Sequence, residues 1–271
     1  MTSVHMQIER RNQVGILEKM RLDGKAIFVT GGATGLGYSM ATALAEAGAN
    51  ILIADIDLPA AKKAAAELSS INGNKMLASE VDISNPDDVN CMVDLMLEEF
   101  GKIDVAFCNA GISKANPIEK ESFEDWKEVI DVNLNGTFLC AQAAGKVMLN
   151  QGYGSIIITA SMSAHIVNIP QTECSYAASK AAIKQMTKNM AIEWASRGVR
   201  VNSISPGYMA TKMTLMSPEL KPLIGIWEEL SPLHRMGKPE ELQSIAVYLA
   251  GDTSSFTTGA DFLIDGAYTC F

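Results

Sequence analysis

Tyr176 and Lys180 stand four residues apart in Ser175-Tyr176-Ala177-Ala178-Ser179-Lys180. In a helix over Ser175–Ser196, both side chains leave the same face, one turn apart. A phenol beside an ammonium is a proton donor and acceptor suited to work near neutrality. Free tyrosine titrates near about 10, so a base active at neutral pH needs a fall of about 2–3, or about 3–4 kcal/mol. One positive charge about 5 Å away supplies about 3 kcal/mol at an effective dielectric near 20. The spacing is chemically sufficient. It also arises by chance on surface helices, so the rest of the chain must decide.

Hydroxyls and amides with matching chemistry lie at Ser161, Ser163 and Asn133. Ser161 and Ser163 follow the run Ile156–Ala160, and hydroxyls at the carboxyl end of a parallel strand face the ligand-binding edge. Either can donate to a substrate oxygen beside Tyr176. Asn133, in Val132-Asn133-Leu134-Asn135-Gly136, sits inside a helical pattern where asparagine is a poor helix former. It either bonds its own backbone or marks a kink that holds a water for proton relay.

Thr30-Gly31-Gly32-Ala33-Thr34-Gly35-Leu36-Gly37 joins a strand to a helix. Such glycines let the backbone turn sharply against a pyrophosphate, and the helix N-terminus adds unpaired N–H groups and a positive dipole end. Asp55 closes the next strand, where a carboxylate accepts both ribose hydroxyls of an adenosine and repels a 2′-phosphate. No Arg or Lys lies in the glycine turn or at Ile56, so NAD is expected over NADP. The plain alternative is a helix-capping aspartate. In Val81-Asp82-Ile83, Asp82 is placed either to bond the adenine amine or to cap the helix beginning at Pro86. Asn109-Ala110-Gly111 ends the fourth strand with small residues against the adenosine side. Pro206-Gly207-Tyr208-Met209-Ala210-Thr211 follows the sixth strand, where backbone groups and the Thr211 hydroxyl can meet a carboxamide.

Positioning these groups requires alternating elements, and the chain has them. Strands are expected at 26–30, 51–55, 76–82, 104–109, 155–159, 200–204 and 262–264. Helices are expected at 36–47, 59–70, 86–100, 123–150, 175–196 and 239–250. That alternation means a parallel sheet with helices on both faces in one domain over 22–271. The strandless stretch 208–238, with prolines at 218, 222 and 232, is expected to be a substrate lid. Residues 1–21 form an N-terminal extension, charged and without the apolar core of a secretory signal.

Composition narrows the function. The 271 residues carry 22 basic and 31 acidic side chains, a net charge of −9, which argues against nucleic acid or anionic membrane as partner. No apolar run approaches the roughly 20 residues of a membrane helix. Five scattered cysteines without a C-x-x-C pair fit reduced thiols in a cytoplasmic protein.

Taken in order, Thr30–Gly37, Asn109–Gly111, Asn133, Ser161, Tyr176/Lys180 and Pro206-Gly207 resemble the short-chain dehydrogenase/reductase family over about 22–271. Ser161-Met162-Ser163, Ile166-Val167-Asn168, Pro170-Gln171, Glu193-Trp194-Ala195 and Gly207–Thr211 resemble its polyol (galactitol, arabinitol, sorbitol, mannitol) dehydrogenases and ketose reductases. Ser161 lies 15 residues before Tyr176, more than the commonest family spacing, which keeps both Ser161 and Ser163 in play.

The resemblance implies a Rossmann-type, doubly wound, seven-stranded sheet and reversible NAD-dependent oxidation of a polyol to a ketose. Tyr176 takes the hydroxyl proton as hydride leaves for the nicotinamide, and Lys180 lowers the Tyr176 pKa and bonds the nicotinamide ribose. Ser161 holds the substrate oxygen and Asn133 a relay water. The substrate then meets Ser161, Ser163, Asn168 and Tyr176, with His165, Gln171 and Glu173 nearby. A homotetramer is implied, as is a divalent-cation site, such as Mg2+, using the C-terminal carboxylate of Phe271. The rival enzyme reading is a 3-oxoacyl or hydroxysteroid ketone reductase, and the rival class a catalytically silent dinucleotide sensor.

Overall fold

The computed structural model describes residues 15–270, so the expected Phe271 site and most of the 1–21 extension lie outside the described residues. After the one-turn helix α1 (Ile16–Lys19), strands and helices alternate: β1 (Ala26–Thr30), α2 (Gly35–Glu46), β2 (Asn50–Asp55), α3 (Leu58–Asn72), β3 (Met76–Glu80), α4 (Pro86–Phe100) and β4 (Val105–Cys108). Then come α5 (Phe123–Ile130), α6 (Thr137–Gln151), β5 (Gly154–Thr159), α7 (Cys174–Trp194), β6 (Val199–Pro206), α8 (Lys212–Met216), α9 (Ile224–Leu230), α10 (Gln243–Ala250) and β7 (Asp261–Ile264).

All strand pairs are parallel, in the order β3-β2-β1-β4-β5-β6-β7. This is the doubly wound Rossmann sheet expected. Successive residues of each strand point to opposite faces, and each face is apolar. Ile27, Val29, Ile51, Ile53, Val105 and Phe107 pack under α2, α3 and α10. Phe28, Leu52, Ala106, Ile156 and Ile158 pack under α4, α6 and α7. Chain order reverses between β1 and β4, which opens a crevice at the carboxyl ends of the strands, where ligands bind in such sheets.

One expected helix is broken in an instructive way. The helix expected over 123–150 is interrupted by a π-helical turn, Asp131–Gly136, that holds Asn133. Asn133 is fully buried, and its side chain bonds the backbone of Ile112 rather than its own. One extra residue in the turn places the amide there. The stretch 208–238 has no strand beyond a single parallel bridge, Met209 to Gly237, and carries α8 and α9. Among the described residues, no helix is long and apolar enough to cross a membrane.

Candidate active site

Helix α7 presents Tyr176 and Lys180 to the crevice, as the four-residue spacing requires. The Lys180 Nζ lies 5.6 Å from the Tyr176 ring centroid and donates to the Thr159 carbonyl at 2.7 Å. Lys180 is 3% exposed. A Cβ placed on Gly111 would sit 3.1 Å from Asn133 Oδ1 and 3.5 Å from Lys180 Nζ, so β4's exit, the π turn and α7 converge. Asn133 Oδ1 accepts from the Ile112 N–H at 2.8 Å, while its Nδ2 donates to the Ile112 carbonyl at 2.9 Å and to Ser179 Oγ at 3.1 Å.

Ser161 lies beside the Tyr176 phenol, whose pKa it lowers. Ser163 does something else. Its Oγ donates to Glu173 Oε1 at 2.9 Å and accepts from Asn168 Nδ2 at 2.8 Å, and Asn168 Nδ2 also reaches Glu173 Oε1 at 2.7 Å. Ser161 Oγ donates to Ser163 Oγ at 3.0 Å. The two serines are therefore linked, with only Ser161 next to the phenol. Asn168 Oδ1 is buried without a hydrogen-bond partner.

The glycine turn is shaped by close approach. A Cβ on Gly37 would fall 2.1 Å from the Gly31 carbonyl oxygen and 2.6 Å from Asn109 Nδ2, so only glycine fits there. Gly35 has a φ of +57°, and a Cβ on it would meet nothing nearer than Thr211 Cγ2 at 4.0 Å. That side of the turn faces an open cleft toward the segment after β6. Asp55 stands beside it: Oδ2 accepts from the Ala33 N–H at 3.1 Å and Oδ1 from the Asp57 N–H at 3.2 Å. Each oxygen keeps a lone pair for a ribose hydroxyl. An open glycine cradle at a helix N-terminus, flanked by an oriented carboxylate, fits a nicotinamide dinucleotide.

Residues 31–269 match the family model described as enoyl-(acyl carrier protein) reductase, adh_short_C2. The chain is a short-chain dehydrogenase/reductase. It is 42% identical to a probable NADP-dependent mannitol dehydrogenase of Yarrowia lipolytica, over 94% of this chain and 91% of that one. It is 40% identical to a sorbose reductase of Candida albicans, over 94% and 90%. A crystal structure of a short-chain type dehydrogenase/reductase from Mycobacterium marinum superposes with a TM-score of 0.91 at 44% identity, covering 95% of this chain and all of that one.

In this short-chain dehydrogenase/reductase, the electrostatics around the phenol correct one expectation. Burial pushes the Tyr176 hydroxyl up to about 12; Ser161 pulls it down and the Glu173 charge pushes it up. Burial also draws Lys180 down to about 8. Desolvation of the phenol itself, omitted from the spacing argument, leaves Tyr176 neutral in the protein alone.

Local hydrogen bonds fix the other expected groups. Asp55 is not a helix cap, because Asp57 caps α3 by accepting from the Ala60 N–H at 2.9 Å. Nor is Asp82, whose Oδ1 accepts from Ser84 N and Oγ while Asn85 caps α4; Ile83 beside it is buried against the π turn at Gly136. Asn109 is structural glue: Nδ2 donates to the Thr30 and Gly31 carbonyls, and Oδ1 accepts from Thr159 Oγ1. Thr211 Oγ1 accepts from the Thr214 N–H and caps α8. Gly207 donates its N–H to the Ile264 carbonyl at 2.9 Å, which ties the exit of β6 to β7.

Two loop residues are held by side-chain partners of their own. His165 Nε2 meets Asp261 at 2.6 Å and its Nδ1 meets Lys184 Nζ at 2.9 Å. Gln171 bonds both Tyr208 Oη and Trp227 Nε1, and those two rings stack at 4.1 Å. The sequence placed Glu173 near the substrate without joining it to Ser163 and Asn168; a carboxylate three residues before Tyr176, next to a polar loop, was the signal. Among the described residues, no group of three or more His, Cys, Asp or Glu side chains is placed to hold a metal ion.

Proposed function

We propose that this chain interconverts a sugar alcohol and its ketose by hydride transfer at a secondary hydroxyl, with NAD as the favoured cofactor. The observation that carries the reading is the polar wall beside the phenol. Ser161 lies beside Tyr176, and Ser163, Asn168 and Glu173 extend the row of hydrogen-bonding groups. An acyl chain would desolvate that row without offering it a hydrogen bond.

NAD or NADP supplies the hydride acceptor or donor when bound. Gly31, Thr34, Gly35, Leu36 and Gly37 would cradle its pyrophosphate, and Asp82, Ile83, Asn109, Ala110 and Gly111 would flank the adenosine side. Pro206, Gly207, Met209 and Thr211 would face the carboxamide. Asp55 favours the 2′-hydroxyl of NAD, whereas the Yarrowia relative is named NADP-dependent. The chain's own residues manage the proton. Tyr176 Oη gives it to a ketone oxygen in reduction and takes it from a hydroxyl in oxidation. With its hydroxyl pushed up to about 12, Tyr176 already holds the proton that reduction needs.

Ser161 holds the reacting oxygen and, when its proton faces that oxygen, stabilises charge on it. Lys180 keeps two N–H donors beyond the Thr159 carbonyl for the nicotinamide ribose, and Asn133 holds the water through which that ammonium exchanges protons. The test is NADH or NADPH formation at 340 nm over galactitol, sorbitol, mannitol, xylitol and arabinitol. Turnover of one or two with NAD is expected. No turnover of any, with activity on acyl or steroid ketones, overturns the polyol reading and keeps the residues. Size-exclusion chromatography with and without a chelator tests the tetramer and cation site that the resemblance implies.

A further inference from the structure

We infer that Glu173 is a positioning residue that sets the direction of the Ser161–Ser163 hydroxyl chain, and thereby whether Ser161 offers the substrate oxygen a proton or a lone pair. The inference rests on the roles of Ser161 and Tyr176 proposed above. Its anchor is Asn168. An amide NH2 can only donate, and Asn168 Nδ2 lies 2.8 Å from Ser163 Oγ and 2.7 Å from Glu173 Oε1. Ser163 must therefore spend its own proton elsewhere, and Glu173 Oε1 receives it at 2.9 Å. Ser161 then donates to Ser163 at 3.0 Å and accepts from the Ser163 N–H at 3.1 Å, which leaves it one lone pair, and no proton, for the reacting oxygen.

Protonating Glu173 from solvent reverses the row without breaking a covalent bond. The carboxylic acid now donates to Ser163, Ser163 turns its proton to Ser161, and Ser161 turns its own to the substrate. A ketone oxygen carries only lone pairs and binds better to the reversed row. An alcohol hydroxyl can donate and binds better to the first. Glu173 is half-buried and reaches solvent. Burial raises its pKa above the ordinary glutamate range, while the Ser163 and Asn168 bonds lower it.

The titratable groups that feel Glu173 are Tyr176 on its own helix and Tyr208 after β6, both kept neutral by burial. Lys180, one turn beyond Tyr176, has its ammonium on the Thr159 carbonyl. Among the described residues, no cation figures in what shifts Glu173.

Because one transition state serves both directions, the effect must show in substrate binding rather than in the ratio of kcat/KM values. For the best polyol–ketose pair, KM in the wild type is expected to rise with pH for the ketose and fall for the polyol, as Glu173 ionises. In Glu173→Leu no carboxylate accepts the Ser163 proton, which turns to Ser161 at every pH. The ratio of the two KM values should then be flat with pH and displaced about tenfold toward ketose binding above the wild-type titration, the worth of one hydrogen bond. Equal changes in both KM values with the wild-type pH dependence intact would overturn the inference.

A substrate-free measurement separates it from the parent reading. Carbon-13 titration of the Glu173 carboxyl should move upward in Ser163→Ala, which loses a bond to the ionised form. An unmoved titration overturns the chain even in an active enzyme. A moved titration supports it even where no polyol is turned over.

Discussion

Lys180→Met isolates the cost of burying an ammonium in the site. Burial draws the Lys180 pKa from 10.5 to about 8, which at about 1.4 kcal/mol per tenfold is about 3 kcal/mol in full. The direction follows from proton counting. Between pH 8 and 10.5 the unfolded chain still binds the proton and the folded chain has released it, so stability rises with pH. Below pH 8 both states hold the proton and the penalty is constant. Relative to Lys180→Met, the wild type should therefore gain about 2–2.5 kcal/mol between pH 7.5 and 10. The Thr159 carbonyl loses its donor in the variant, but that offset does not change with pH. The series stops at pH 10 because Tyr176, pushed up to about 12, keeps a proton that the unfolded chain loses above that point, which lowers stability there in both proteins. Urea denaturation of both proteins at one concentration across this range is the assay. Parallel stability curves would refute the reasoning, because they require an ammonium that keeps its water or a full counter-charge.

Asp55→Ala should weaken NAD binding by about tenfold to a hundredfold, as for lost bonds to a charged acceptor, and raise the relative use of NADP; KM values for both cofactors check it, and an unchanged preference refutes the ribose role. Asn133→Ala removes three hydrogen bonds and strands both backbone groups of Ile112, so denaturation should show a loss of about 2–4 kcal/mol. Gly37→Ala forces a methyl into the Gly31 carbonyl; a loss of about 1–3 kcal/mol or more is expected, with weakened NADH binding by fluorescence titration.

The sheet was legible because its signals are local and repeated. The β-branched runs that became β1, β2 and β5 are buried on both faces, so nothing in them competes with the strand pattern. The helix that begins at Pro86 and ends at Phe100 could be read to the residue, since Asn85 caps it and Gly101 stops it. The π turn could not be read. It exists because Asn133 bonds Ile112, 21 residues away, and periodicity carries no record of that pairing. The catalytic spacing was legible for the same local reason: Tyr176 and Lys180 share one helix. What their surroundings do to their protons was not. Desolvation of the pair depends on the π turn, on β5 and on the loop folding over α7, none of which is written in the four-residue interval. Ser161 and Ser163 were equivalent in sequence, and only the distant Asn168 and Glu173 separate them.

Tyr176→Phe tests the central claim most directly. With the best polyol and its preferred cofactor, the variant should lose about 10²–10⁴ of kcat, while its Tm and dinucleotide affinity stay close to those of the wild type. A variant that keeps its turnover within a few-fold would contradict the account, because no other group described beside Ser161 can carry the proton.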